Sequence, residues 1–538
     1  MLNYLSKRSD LIMLAGLFFL SFFSFFTFSN LDLVISYNDS MSHLNLTRLI
    51  IDNQEPGISQ LGGVWLPVNH ILPLVLIWND AAWHSGFAGA AFSMLSYIFT
   101  AILIYKSILL VTAKKIAAFV GSFAFALNLN ILYLQSTPLT EALYLVFFMA
   151  SVYFILKWMV TQNARYLPLI GFCGFLQVLT RYDGWFVTGL QVMILFFFEF
   201  IYNKKSFAES FSKILLVSIP IGFGVGIWLL WNLLIFGDPL FFALGPYSAR
   251  AQQDVINEAS PLITKGDWAI SAKAYYYTVI NNVGLLTTAL GLFGSVYFLA
   301  FRNKIASIGV KGLIFLLFLT PVIFNVLALY LGFSILNIPD LNWKPKDDES
   351  ALWFNVRYGI MALPATAFWI GMLAAGVVYI NQKARQFTLY PLAMIAVAVI
   401  IFQAYLTYNE GIITVIDGTR GSSSYVNSDV SDYLRDKVRE DEEILLAISY
   451  FNPVAFQSRV DLKQVIHEGV SQKWGNALGS PHLYVDWIVM SNGKVGDPVY
   501  NHLIDETNSY FLQYYDLAYK GNHASVYKIK TKRQEAAR

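Results

Sequence analysis

The sequence predicts an all-α polytopic membrane protein of about eleven transmembrane helices, followed by a small soluble α/β domain. Three observations carry that expectation. Hydrophobic residues make up 56% of the 538 residues and charged ones only 13%, and the mean hydropathy is +0.52, too apolar for a soluble enzyme. Apolar runs of about 20 residues, the length that a bilayer core requires, recur through positions 1–406. Beyond them the pattern changes to short strand-like runs separated by turns. The net charge of +2 is too small, and its basic residues too scattered, to suggest nucleic acid as a partner. Cys173 is the single cysteine, so the chain forms no intramolecular disulfide.

Residues 11–31, preceded by Lys7 and Arg8, form the first run. It is long for a signal peptide and lacks a small-residue cleavage site, so the expectation is a retained span. Further spans are expected at 86–111, 115–134, 141–160, 166–180, 185–202, 211–236, 277–301, 309–336, 358–380 and 386–406. Lys7/Arg8, Lys114/Lys115, Lys157/Arg165, Lys204/Lys205, Arg302/Lys304/Lys311 and Lys383/Arg385 then fall in alternate loops, as the positive-inside rule expects of cytoplasmic ones. The N-terminus is therefore expected in the cytoplasm and everything after residue 407 outside. The outer loops are 32–85, 135–140, 181–184, 237–276 and 337–357. The apolar piece from His70 to Trp78 is too short to span and is expected to be re-entrant or interfacial, packed under the first loop.

Two domains follow: a transmembrane domain, 1–406, carrying the outer loop 32–85, and an extracytoplasmic α/β domain, 407–538. Strand-like runs at Glu443–Ser449, Val485–Met490 and Ala524–Ile529 alternate with helical patterns near Ser428–Arg439 and Asn501–Tyr510. This domain has no nucleotide-binding glycine motif, Ser/His/Asp arrangement or zinc-ligand spacing. A lid or acceptor-positioning role is the plain expectation for it.

Ionisable residues beside membrane spans are costly and persist when paired, cavity-facing or functional. On the outer face these are Asp39, His43, Arg48, Glu141, Arg181, Asp183, Asp238 and Arg357, which Tyr358 follows. Carboxylates and arginines at the mouth of a helical bundle suit a lipid with an anionic headgroup. Each also has a plainer role. Asp39 or Ser40 can cap a short amphipathic helix lying on the membrane. Glu141, after Thr137-Pro138-Leu139-Thr140, fits the acid of a helix's first turn. Arg181-Tyr182-Asp183-Gly184-Trp185 fits a tight turn with interfacial aromatics. Arg357 offers a planar bidentate fork to a phosphate, or pairs simply with Asp347, Asp348 or Glu349. His43 and His70 show no metal-ligand spacing, and no metal site is assigned.

Taken in order, these segments resemble the GT-C glycosyltransferases, polytopic enzymes that take a sugar from a polyprenyl-phosphate carrier. The group includes protein mannosyltransferases and the aminoarabinose transferase of lipid A. The resemblance rests on Asn38-Asp39-Ser40-Met41-Ser42-His43, Gly62-Gly63-Val64-Trp65-Leu66-Pro67, Leu139-Thr140-Glu141-Ala142-Leu143, Thr180-Arg181-Tyr182-Asp183-Gly184-Trp185 and Asn355-Val356-Arg357-Tyr358. It implies that Asp39 is the general base, that Arg357 and Arg181 stabilise the departing lipid phosphate, and that the transfer inverts the anomeric centre in one displacement. His43, Arg48, Glu141, Asp183 and Tyr358 are the other expected substrate-binding residues. The implied donor is a polyprenyl-phosphate sugar, the acceptor an unspecified lipid, protein or glycan, and no cofactor is required, a divalent metal being the less favoured alternative. One departure bears on metal dependence: many relatives carry two adjacent acids in the first loop, where this chain has Asn38 beside Asp39. Sequons at Asn38-Asp39-Ser40 and Asn45-Leu46-Thr47 would place glycans on that loop, which favours a bacterial cytoplasmic membrane.

Two other classes compete. A transporter or flippase of a lipid-linked or anionic substrate shares the helix count, but its charges would lie at mid-membrane depth. A non-catalytic membrane scaffold would not need Asp39.

Overall fold

A computed structural model describes residues 2–245, 248, 250–251, 262–300, 307–341, 353–383, 391–421, 423–493, 496–506 and 509–531. The basic residues Arg302, Lys304 and Arg385 of the expected cytoplasmic loops, and the acids Asp347, Asp348 and Glu349, lie outside them. The chain divides into two compact units.

The first unit comprises Met1–Leu33, Gly63–Asn69 and Ala90–Gly421. Among the described residues, eight helices are long and apolar enough to cross a membrane: Asp10–Asn30, Phe87–Thr112, Glu141–Thr161, Asp183–Tyr202, Phe207–Phe236, Ile308–Leu331, Val356–Ala375 and Ala393–Gly421. The multi-pass expectation holds, but three of the eleven expected spans differ. Those at 115–134 and 166–180 are helices of only 12 and 13 residues, Lys115–Ala126 and Tyr166–Val178. At about 1.5 Å per residue they fall short of a full bilayer core. The span expected at 277–301 straddles the bend of a helix pair, Trp268–Val283 and Leu285–Ala300, which meet at 109°.

The bend has a local cause. Gly284 adopts φ +92°, a left-handed conformation costly for any other residue, and a Cβ there would meet the Gln403 side chain. A broken helix in an apolar setting must pair its freed backbone groups elsewhere. Asn128 Nδ2 and Asn130 Nδ2 donate to the Asn282 carbonyl at 2.8 and 2.9 Å, and Gln403 Oε1 accepts from Leu286 N at 3.0 Å. Elsewhere helices approach through small residues, as membrane packing favours. A Cβ on Gly121 would lie 2.7 Å from the Ala367 carbonyl oxygen.

The second unit comprises Val34–Gly62, His70–Gly89 and Ser422–Arg538. Its centre is a five-stranded sheet ordered β2-β1-β3-β5-β4, with β1 Ile444–Leu445, β2 Val465–Ile466, β3 Trp487–Ser491, β4 Tyr515–Lys520 and β5 Ala524–Ile529. The pairs β1–β2 and β1–β3 are parallel, β3–β5 and β4–β5 antiparallel. Side chains alternate between faces with period two. Ile444, Val465, Trp487 and Val489 bury on one face with Val430, Leu434 and Phe451, while Leu445, Ile466, Ile488 and Met490 bury on the other with Ala477, Val499 and Phe511.

The first-loop segments do not stay with the spans, as the expected boundary at 406 has it, but join this sheet. The Asn38–Leu49 helix contributes Met41, Leu44 and Leu49 to the same core as Trp487 and Val454. Asn45 Nδ2 donates to the Asn452 carbonyl at 3.0 Å, and Ser424 N to the Ser36 carbonyl at 3.0 Å. The helix forms as expected, but it is buried from Ser40 to Asn45 and again from Thr47 to Leu49, in place of the amphipathic surface helix anticipated. The piece from His70 to Trp78 folds into two short turns of helix, with Leu74 and Leu76 packed against that core beneath the first-loop helix.

Candidate functional site

In the membrane unit, four charged residues called from the sequence come together. Glu141 opens its helix, Asp183 opens the next but one, and Arg181 sits in the turn before Asp183. Arg357 lies in a 3-10 turn, Val356–Ala362, leading into the Leu363–Lys383 helix. Glu141 is 1% exposed, Arg357 4% and Asp183 6%. Arg181 Nε donates to both Asp183 oxygens at 3.2 Å, and its Nη1 donates to Thr140 Oγ1 at 2.8 Å and Glu141 Oε1 at 3.2 Å. Arg357 Nε donates to the same Glu141 Oε1 at 3.1 Å. One carboxylate oxygen therefore holds two guanidinium groups. The Tyr358 ring lies 5.2 Å from the Arg181 guanidinium and 5.4 Å from that of Arg357, within cation–π range of both.

Backbone bonds explain why these side chains meet. Gly184 permits the close turn at 181–184, since a Cβ there would press on the Gln177 carbonyl. Tyr182 Oη donates to the Val64 carbonyl at 2.6 Å and accepts from Trp228 Nε1 at 3.0 Å. Val68 N and Asn69 Nδ2 donate to the Leu179 and Thr180 carbonyls at 3.2 and 2.7 Å. The Gly63–Asn69 stretch thus acts as a brace for the Arg181 turn. On the other side, Asn282 Nδ2 donates to the Val356 carbonyl at 2.6 Å and Tyr275 Oη to the Tyr358 carbonyl at 3.2 Å. The limb before the Gly284 bend therefore fixes the Arg357 turn.

Glu141 is in the first turn of its helix, yet its carboxylate turns to the arginines. Thr140, the N-cap, makes no side-chain cap bond and serves Arg181 instead. Arg357 is paired with Glu141, an acid from another helix. Asp238 stands apart, its Oδ1 accepting from Leu240 N at 2.9 Å within its own turn.

Asp39, His43 and Arg48 belong to the sheet-bearing unit. Asp39 lies half-buried in the first turn of the Asn38–Leu49 helix, which no side chain of Tyr37 caps. His43 Nδ1 and His70 Nε2 share a hydrogen bond of 2.9 Å. Burial first, then the neighbouring His43, holds the His70 imidazole below its ordinary range. Arg48 is committed to the loop's own packing. It bonds Asp52 at 3.0 Å, Asp80 at 2.7 Å and the Ile77 carbonyl at 2.9 Å, with its guanidinium 4.6 Å from the Trp83 ring centroid. Those partners use the donors that substrate contact would need. Among the described residues no three His, Cys, Asp or Glu side chains are grouped to hold a metal.

One buried ion pair escaped sequence reasoning. Glu199, fully buried, accepts from Lys213 Nζ and Trp158 Nε1, each at 2.6 Å. An acid inside the apolar run Phe196–Ile201 was the available signal.

The sequence matches no family model and no curated protein. The structure does have solved counterparts. ArnT from Cupriavidus metallidurans, bound to undecaprenyl phosphate, is similar with a TM-score of 0.58 at 11% identity, covering 97% of this chain and 98% of that one. The Archaeoglobus fulgidus oligosaccharyltransferase in its apo form gives 0.53 at 12% identity, over 91% of this chain and 70% of that one. Its AglB complex with an inhibitory peptide and a dolichol-phosphate gives 0.50 at 12% identity, over 90% and 70%. At such identities the likeness is one of fold.

Proposed function

From the GT-C fold that the chain shares with these transferases, we propose that it is an integral-membrane inverting glycosyltransferase using a polyprenyl-phosphate sugar. Transfer occurs on the extracytoplasmic side, with the N-terminus in the cytoplasm. The observation that carries this reading is the gathering of Arg181 and Arg357 on the buried Glu141 carboxylate. Guanidinium forks match phosphate geometry and stay charged at any working pH. Arg181 uses Nε and Nη1 on its protein partners, and its Nη2 makes no bond among the described residues. That leaves part of the fork for a phosphate oxygen.

In the reaction, the acceptor's hydroxyl or amine attacks the anomeric carbon as the bond from that carbon to the phosphate oxygen breaks. The proton passes to the Asp39 carboxylate as general base, and the leaving phosphate takes the electron pair. Arg181 and Arg357 stabilise the charge growing there, from positions set before the reaction begins. Glu141 and Asp183 hold the two arginines in place. With all eleven expected segments crossing, the basic residues fall in alternate loops and support the orientation, and the two sequons on the first loop support a bacterial membrane.

Broken helices also occur in transporters. The break at Gly284 does not favour that class, because Asn128, Asn130 and Gln403 take up its freed backbone groups. The test is transfer from labelled polyprenyl-phosphate sugars by purified protein. Removing one preorganised donor typically costs about 10²-fold or more in kcat, and Arg181→Gln and Arg357→Gln are each expected to lose that much. Transfer at the wild-type rate in both would overturn the assignment.

A further inference from the structure

We infer that a cavity within the sheet-bearing unit is a subsite for one uncharged sugar ring of the acceptor. The inference rests on the function proposed above. The cavity has a volume of about 250 Å³, and Asn38, Ser423, Asn427, Tyr450, Phe451 and His523 are among its walls. Drug-sized ligands occupy about 300–1,000 Å³, so this space suits a single ring.

Three features choose the ligand chemistry. Among the described residues no Lys, Arg, Asp or Glu lines the cavity, so a phosphate or carboxylate would lose its hydration there without a counter-charge. An apolar lipid tail would instead desolvate the amides and hydroxyls of the walls. A neutral sugar offers hydroxyls that donate and accept, and C–H faces for aromatic rings. Tyr450, 38% exposed, supplies such a ring and packs edge-on against Phe451 at 4.8 Å between centroids. Asn427 Oδ1 is buried with no hydrogen-bond partner among the described residues. It occupies the N-cap position of the Ser428–Lys437 helix but makes no cap bond. The cavity walls carry the amides of Asn38 and Asn427 and the hydroxyl of Ser423, groups that pair with sugar hydroxyls.

The position points to the acceptor. Asn38, one wall, immediately precedes Asp39, and both lie in the first turn of one helix. Asp39 is not itself a wall, but a ring held against Asn38 sits one residue along that helix from the proposed base, near where the acceptor nucleophile is needed.

Full-length protein in detergent tests this directly by saturation-transfer NMR with methyl hexopyranosides and N-acetylglucosamine, with inorganic phosphate as competitor. At least one sugar is expected to bind, to weaken by about tenfold in Asn427→Ala and Tyr450→Ala, and to keep its affinity in Tyr450→Phe. Phosphate should not compete. Absence of sugar binding, wild-type binding in both alanine variants, or displacement by phosphate would each overturn the inference. This readout needs no turnover, so it stands or falls separately from the transfer reaction. In transfer assays the same alanine variants should raise KM for the acceptor and not for the donor. A rise in donor KM alone would assign the cavity to the donor sugar and refute the acceptor role.

Discussion

Glu141, buried at the start of its helix, holds Arg181 and Arg357 on one carboxylate. Its partners lie 40 and 216 positions away, and no local pattern encodes such pairings. Removing one partner of a buried ion cluster typically costs about 3–5 kcal/mol. Glu141→Gln is therefore expected to lower the melting temperature markedly and to reduce transfer, whereas Asp238→Asn, which disturbs only a local turn, should do neither; equal melting curves for the two variants would contradict this. His467 carries a pH dependence. Its Nδ1 accepts from Gly469 N at 3.1 Å and its Nε2 faces Asn53 Oδ1 at 3.4 Å, a pattern that the neutral ring satisfies. Burial pushes its pKa down to about 4, and burial, with Arg459 next, does the same for His84. Both are depressed below the ordinary 6.5, so the unfolded chain binds more protons between these values. Their contribution to stability is full above pH 6.5 and is lost as pH falls towards about 4. His467→Gln should flatten the fall in melting temperature across that window, and an unchanged slope would contradict it.

At the scale of elements, long apolar helices were legible because their length and composition are set by the bilayer itself. The breaks were not. Gly284 looks like any glycine in an apolar run, and the bend follows from its positive φ and from Gln403 and Asn128 brought in by tertiary packing. Gly284→Ala should cost about 1–2 kcal/mol in backbone strain, with a further loss from the contact with Gln403, read as a lower melting temperature. In the tail, the strands Trp487–Ser491 and Ala524–Ile529 were legible from their apolar runs. The two-residue strand Val465–Ile466 was too short to show a period, and Tyr515–Lys520 buries only its first residue. The first-loop helix was visible as a helix, but its burial under the tail's core was not, because its partners lie some 400 residues on. Leu44→Ala removes a side chain from that shared core and is expected to cost about 2–5 kcal/mol. Protease sensitivity of the first loop should rise with it.

For the whole molecule, composition alone decided the class, and the order of motifs along the chain pointed to a polytopic fold of the kind that the solved counterparts share with this chain. Orientation is a proposal that labelling can test. In a Cys173→Ala background, Lys437→Cys should react with a membrane-impermeant maleimide on intact cells and Lys204→Cys only after the membrane is opened; the reverse order would invert the topology. The charge arrangement of the site was half legible: arginines on the face expected to be outer stand out against the positive-inside rule, while the acids that orient them emerge only from the fold. The proposed base, Asp39, lies in the loop after the first span, and the proposed transfer depends on it. The most direct measurement compares membranes carrying the wild-type chain and Asp39→Asn for transfer from a labelled polyprenyl-phosphate sugar. The substitution keeps size and removes the base. Transfer falling to background, with the melting temperature unchanged, is the predicted result, and transfer at the wild-type level would contradict the account.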